Sequence, residues 1–296
     1  MSESTNSLHR KMQSAADLQS VVRTMKDLAA SSIGQYEKSV LALADYYHTL
    51  ERGLSVCFWA RGLEPILSDS KNQPLAAETV AIVFGSDQGL VGQFNDVIAD
   101  YAIAALSAMP GKPQVWVVGE RVHESLVEAG LQVMGLFPVP NSIGGVTSLV
   151  GQILIESQSH RHREINNEFF LYYNSPTTGA GYTPYFQQLL PFSDEWRSRI
   201  SKLPWNGKNL PEVMGDLTTT LQTLISEYLF VSIFRACAES LASENTSRLA
   251  AMQRADKNID ELLEDLNSSF HRLRQSDIDE ELFDVISGYE ALGKSR

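Results

Sequence analysis

The sequence predicts a central Rossmann-like α/β domain carried on a long antiparallel coiled coil of the N- and C-terminal helices. Three observations predict it. Residues 1–33 and 216–287 contain neither glycine nor proline, whereas all 11 prolines lie between 65 and 211. The two ends carry apolar residues at alternating steps of three and four. The middle alternates short β-branched and aromatic runs with amphipathic stretches. The expected divisions are an N-terminal shaft helix over 1–64, the α/β domain over 65–210 and a C-terminal shaft helix over 211–296.

At the N-terminus, Leu8, Met12, Ala15, Leu18, Val22, Met25 and Ala29 form one stripe, which resumes through Val40, Leu43 and Tyr47. Gly34 and Gly53 are weak points inside it, each costing about 1 kcal/mol in a helix. In the middle, TVAIVFG (79–85), QVWVVGE (114–120) and EFFLYYN (168–174) read as buried strands, and 93–108, 121–129 and 146–158 as helices. A largely parallel sheet follows. Residues 174–192 read as a turn-rich exit from the last strand, and 203–211 as the approach to the final helix. The 72 residues without a breaker would make a helix of roughly 108 Å. Its stripe of Ile259, Leu262, Leu266, Leu273, Ile278, Leu282, Val285, Tyr289 and Leu292 calls for a partner helix. The step from Leu273 to Ile278 breaks the register.

A formal net charge of −12 argues against a general basic field for nucleic acid. The two cysteines, Cys57 and Cys237, form no CxxC pair and no disulfide framework, and they fit a reducing compartment. No secretory leader is legible in MSESTNSLHRKMQSAADLQS, and no run of about 18 apolar residues predicts a membrane span.

The loop SDQGLVGQFN (86–95) has the outline of a phosphate cradle: a strand, then glycines, then a helix. It lacks GxGxxG, it lacks the Lys and hydroxyl of GxxxxGK[ST], and Asp87 places an anion at its mouth. Gly85, Gly89 and Gly92 are expected to serve tight turns and close strand–helix approach, with Asp87 capping the helix that follows. His9, His48, His123, His160, His162 and His271 show no metal-ligand spacing, and SHRHRE (159–164) reads as a polar patch. No GxSxG is present. The carboxylates Asp277, Asp279, Glu280, Glu281 and Asp284 read as a solvated face. No cofactor or metal is expected.

Several blocks resemble the gamma subunit of F-type ATP synthases. VRTMKDLAASSI (22–33) is similar to that family's Ala-Met-Lys-Met-Val-Ala-Ala run, and SDQGLVGQFN to its Asp-Arg-Gly-Leu-Cys-Gly loop. ASENTSRLAAMQRADKNIDELLEDL (242–266) and RLRQSDIDEELFDVISGYEAL (272–292) are similar to its two C-terminal blocks, whereas 110–205 matches only loosely. The resemblance implies a central rotor shaft that catalyses nothing itself. It implies three alpha and three beta subunits around the coil, with the epsilon subunit and the c-ring at the foot. It implies a peripheral place on the cytoplasmic face of a bacterial or archaeal membrane, with no direct insertion. Residue by residue, it implies contacts with the beta catch and lever regions at Met25, Asp87, Gln88, Arg248, Arg274, Gln275 and Glu281. Departures are Asp27 for the second Met, Gln88 for Arg, Val91 for Cys, and the net charge of −12 where relatives are basic or near neutral. The opening residues also resemble the alternate F-type ATPase branch, some members of which are proposed to export sodium. Two other readings of the same residues are a coiled-coil adaptor bearing an α/β domain and an α/β nucleotide hydrolase.

Overall fold

The computed structural model describes residues 4–60, 79–109, 111–159, 168–178, 181–205, 207, 209 and 211–293, with side chains from 158–159 and 288–293 left aside. His160 and His162 therefore lie outside the described residues, as do the side chains of Tyr289 and Leu292. The elements in order are α1 (Thr5–Ala60), β1 (Thr79–Phe84), α2 (Phe94–Ser107), β2 (Gln114–Val118), α3 (Glu120–Glu128) and β3 (Gln132–Phe137). They continue with α4 (Ile143–Ser159), β4 (Glu168–Thr177), β5 (Gly181–Leu190), α5 (Asp194–Ser201) and α6 (Leu217–Gly293). The chain divides into two compact units, one of the residues up to Leu28 and from Leu249 onward, the other of Ala29–Arg248.

The larger unit is built on a five-stranded sheet of order β3-β2-β1-β4-β5. Four strands are parallel, and β5 returns antiparallel to β4 along the edge. Strand β1 is buried along its whole length because both faces are covered, which is why it reads as an unbroken apolar run. Alternation divides it cleanly. Val80, Ile82 and Phe84 join Val146, Val150 and Ile153 of α4 with Leu54 of α1 and Tyr228 and Ile233 of α6. Ala81 and Val83 face Ile98, Ala102 and Leu106 of α2 and Val122 and Leu126 of α3.

Two strands differ from expectation. Residues 174–192 do not leave the sheet; they complete a hairpin in which Tyr173 opposes Tyr185 and Asn174 opposes Pro184. Pro184 obscures the strand signal, yet an edge strand has a free side on which a missing N–H costs nothing. Strand β3 also escapes the periodicity, because Gly135 interrupts it. A Cβ there would lie 2.5 Å from the Trp116 ring, so the gap in the pattern is the space that Trp116 fills. Helix α5 begins at Ser193, whose hydroxyl accepts from Trp196 N at 3.2 Å. Trp196 then stacks on Phe192 at 4.2 Å between ring centres. From Ala236 to Asn245 helix α6 is buried on every side, which its small residues permit.

In the smaller unit α1 and α6 pack as an antiparallel pair around Ala15, Val22, Met252 and Ile259. The seam steps from Ala15 to Gln19 to Val22, so Gln19 is buried while Leu18 is 54 % exposed. This corrects the expected stripe. The polar seam residue is accommodated because its amide donates to Asp256 at 3.2 Å and to Asp260. Arg23 Nε and Lys26 Nζ reach Asp256 at 3.0 and 2.8 Å, so Lys26 pulls that carboxyl below its usual range and Arg23 adds to the pull. On the other helix Leu262 is exposed, and Leu263 packs in the seam instead. His9 meets Phe270 and Gln19 meets Asp260, a one-for-one register that carries Thr5 to a place opposite Arg274. Helix α1 begins there, so Ile278, Leu282 and Val285, expected in the stripe, are exposed with no partner helix among the described residues.

Candidate functional site: the glycine loop clamped to the long helix

In a sheet of order 3-2-1-4-5, ligands bind beyond the carboxyl ends of the strands where the order reverses, here between β1 and β4. The residues at that place are Gly85 and Ser86 after β1 and Asn174 and Ser175 of β4. The crevice is covered by α6. Ser247 Oγ donates to the Val91 carbonyl. Ser175 Oγ donates to Glu239 Oε2 at 3.2 Å, and Arg235 Nε meets the other oxygen of Glu239 at 2.7 Å. Asn174, fully buried, donates to the Phe94 carbonyl at 2.9 Å.

The polar groups at the start of the loop are also committed. Gly85 N donates to the Val118 carbonyl at 2.7 Å, and Ser86 N to Asn95 Oδ1 at 2.9 Å. Asp87 does not cap α2, the helix that follows it. Its Oδ1 accepts from Glu120 N at 3.1 Å and its Oδ2 from Val139 N at 2.8 Å. The sheet brings the ends of β1, β2 and β3 side by side, so the nearest free N–H groups belong to α3 and to the segment after β3. Gly119, which precedes α3, has no side chain to cap it. The spot at a helix start where a phosphate could rest is therefore held by the protein's own carboxylate.

The glycines divide by role. A Cβ on Gly85 would lie 2.5 Å from Val122 Cγ1, so this one permits the close approach of α3. Gly92 takes a positive φ of 58°. Gly89 has open space around it. The strained residue is Leu90, at φ 63° and 63 % exposed. A left-handed backbone at a non-glycine residue is a strained conformation, and only the dihedral angles reveal it.

The remaining predicted residues fall in distinct settings. Gln88 is exposed on the same loop, its carbonyl accepting from Ser86 Oγ at 2.8 Å. Arg248 is folded along α6, Nη2 at 2.6 Å from Glu244 Oε1, its side chain only 13 % exposed. Met25 is partly buried in the coil seam. Arg274, Gln275 and Glu281 are exposed on the terminal stretch of α6. Glu244, Ser247, Glu239 and Asn174 were not singled out by sequence. The Glu–Arg spacing of four was a legible signal for the first; the others depend on sheet contacts. Cys57 and Cys237 are both free and buried in the sheet–helix core. No His/Cys/Asp/Glu cluster able to hold a metal occurs among the described residues, and none of their helices is long and apolar enough to cross a membrane.

A doubly wound sheet whose ligand crevice is covered by the chain's own long helix defines an α/β body built to hold a helix there in place of a ligand. The family model described as ATP synthase matches residues 4–292. The ATP synthase gamma chain of Salinibacter ruber is 26% identical over 305 residues, covering 97% of this chain and 98% of its own length. That of Clostridium botulinum (strain Hall) is 28% identical over 221 residues, 71% of each chain. A chain in the rotor of the Euglena gracilis mitochondrial ATP synthase superposes with a TM-score of 0.65 at 12% identity, covering 93% of this chain and 98% of that one. One in the central stalk and c-ring assembly of Tetrahymena thermophila does so with a TM-score of 0.56 at 19% identity, covering 79% and 99%. The chain belongs to the ATP synthase gamma-chain family, and its fold is that of the central-stalk rotor of F-type ATP synthases.

Proposed function

We infer that this chain is the central rotor shaft that couples ion flow through a membrane ring to ATP synthesis or hydrolysis on the beta subunits, with no catalytic chemistry of its own. The observation that carries the reading is the end of α6, where Ile278, Leu282, Phe283, Val285 and Ile286 are all exposed beyond the reach of α1. Five apolar side chains on a helix end that has no partner among the described residues demand a surrounding surface. A ring of three alpha and three beta subunits supplies one, and only a shaft that contacts each beta subunit differently can shift their nucleotide affinities. The epsilon subunit and c-ring would hold the α/β body, on the cytoplasmic face of a bacterial or archaeal membrane. Met25, Asp87, Gln88, Arg248, Arg274, Gln275 and Glu281 are the proposed contacts with beta. Leu90 joins them, because its strained backbone presents it beside Gln88. Asp87 acts through the loop it shapes, since both its oxygens are engaged internally.

The test is co-expression with alpha and beta subunits of F-type ATP synthases, those from the same organism first. An ATPase complex that requires this chain is the expected result; failure to assemble with any alpha–beta pair would refute the reading. Arg274→Ala is expected to reduce pumping per ATP hydrolysed, because an exposed guanidinium can bind a beta carboxylate with two hydrogen bonds. Unchanged coupling would remove Arg274 from the contact set.

A further inference from the structure

Glu244 is 5 % exposed, and its pairing is incomplete. Oε1 takes the Arg248 guanidinium at 2.6 Å, while among the described residues Oε2 has no hydrogen-bond partner and neither does Arg248 Nε. The groups acting on this carboxyl come from three sides. Tyr36 faces it from α1, Asp87 from the loop after β1, and Arg248 and Cys237 from α6 itself. There is one cation among them, and Asp87 is a second carboxylate. Burial pushes the Glu244 carboxyl above its ordinary range, Asp87 pushes the same way, and Arg248 opposes both.

We propose that Glu244 is a proton-operated latch on Arg248: ionised, it holds the guanidinium folded along α6, and protonated, it lets the guanidinium swing out to the surface. The proton comes from water and binds Oε2, the oxygen without a partner. The ion-pair hydrogen bond to Nη2 then becomes a bond from a charged donor to a neutral carboxyl oxygen, weaker because the acceptor has lost its charge. Arg248 is left largely buried without the one carboxylate that touches it, an unfavourable state that its long stem relieves by carrying the head to water. The switching is a property of this chain alone. Its consequence, a freed guanidinium available to a carboxylate of the beta subunit, rests on the contact proposed above.

The experiment is a titration of the full chain with labelled glutamate carboxyls and arginine Nε–Hε groups, followed by NMR. Glu244 is assigned from its loss in Glu244→Gln and Arg248 from its loss in Arg248→Lys. Glu244 is expected to titrate above the free value of about 4.3, and the Arg248 signal to shift with the same midpoint. In Glu244→Gln the Arg248 shift is lost, and the signal stays where wild type has it in acid. A Glu244 midpoint at or below the free value would overturn the proposal. So would an Arg248 signal that does not move while Glu244 titrates. Should Glu244→Gln fail to fold, the wild-type Arg248 signal decides by itself: it either moves above the free glutamate range or it does not. Unaltered coupling in an assembled Arg248→Ala complex would remove the beta contact and leave the latch standing.

Discussion

Gly85→Ala separates the two meanings of the glycine loop. The added methyl carbon would sit 2.5 Å from Val122 Cγ1, 2.6 Å from Val122 Cβ and 3.1 Å from Asn95 Oδ1. Val122 is fully buried on α3, and its Cβ belongs to a stiff branched side chain, so it cannot move aside. Overpacking of this kind costs about 1–3 kcal/mol. At about 2–4 °C per kcal/mol for a unit of this size, the melting temperature is expected to fall by roughly 2–12 °C. The assay is a denaturant or thermal melt of the full chain as a double-mutant cycle with Val122→Ala. Val122→Ala removes the 2.5 Å clash with Cγ1, leaves the one with Cβ and frees α3 to shift toward the vacated space, so the double variant is expected to lose less than the sum of the singles. Gly89→Ala is the control and is expected to change little, because its surroundings are open. Additivity of Gly85→Ala and Val122→Ala would refute the reasoning, as would an equal loss from Gly89→Ala.

Asp87→Ala leaves Glu120 N and Val139 N without their acceptor, and each hydrogen bond to a charged group is worth about 1.5–3 kcal/mol; a loss of about 3 kcal/mol in denaturant stability is expected, with faster amide exchange at both positions. Gly34→Ala should stabilise α1 by about 0.5–1 kcal/mol, since a Cβ there meets nothing within 4 Å, and a higher denaturation midpoint at unchanged slope would check it. Asp256 sets an acid limit on the coil. Its folded carboxyl is held below the usual range by Lys26 and then Arg23, so its stabilisation is complete above the unfolded value of about 3.9 and is lost as pH falls through the lower folded one. Asp256→Asn is expected to flatten that part of the acid-unfolding curve.

The long helices and β1, β2 and β4 were legible in the sequence because their signals are local: absent breakers, heptad spacing and unbroken apolar runs. The hairpin strand β5 and strand β3 were not, because Pro184 and Gly135 look like breakers until an edge position and the Trp116 ring explain them. The seam was half legible. Periodicity alone chose Leu18 and Leu262, whereas burial chose Gln19 and Leu263, because Asp256 and Asp260 on the facing helix gave the buried amide its partners.

By itself the sequence determined that long terminal helices flank an α/β domain, that the glycine loop lacks a phosphate motif, and that the family blocks stand in order. Each depends on residues close together in the chain. Only the tertiary structure decided that Asp87 caps α3 rather than α2, that Ser247 fastens the loop to α6, and that Glu244 holds Arg248 with an oxygen to spare. The first two join residues brought together by strand order and helix packing. In the third the spacing of four offers the pair, but the burial that leaves one oxygen without a partner is encoded by no spacing along a chain.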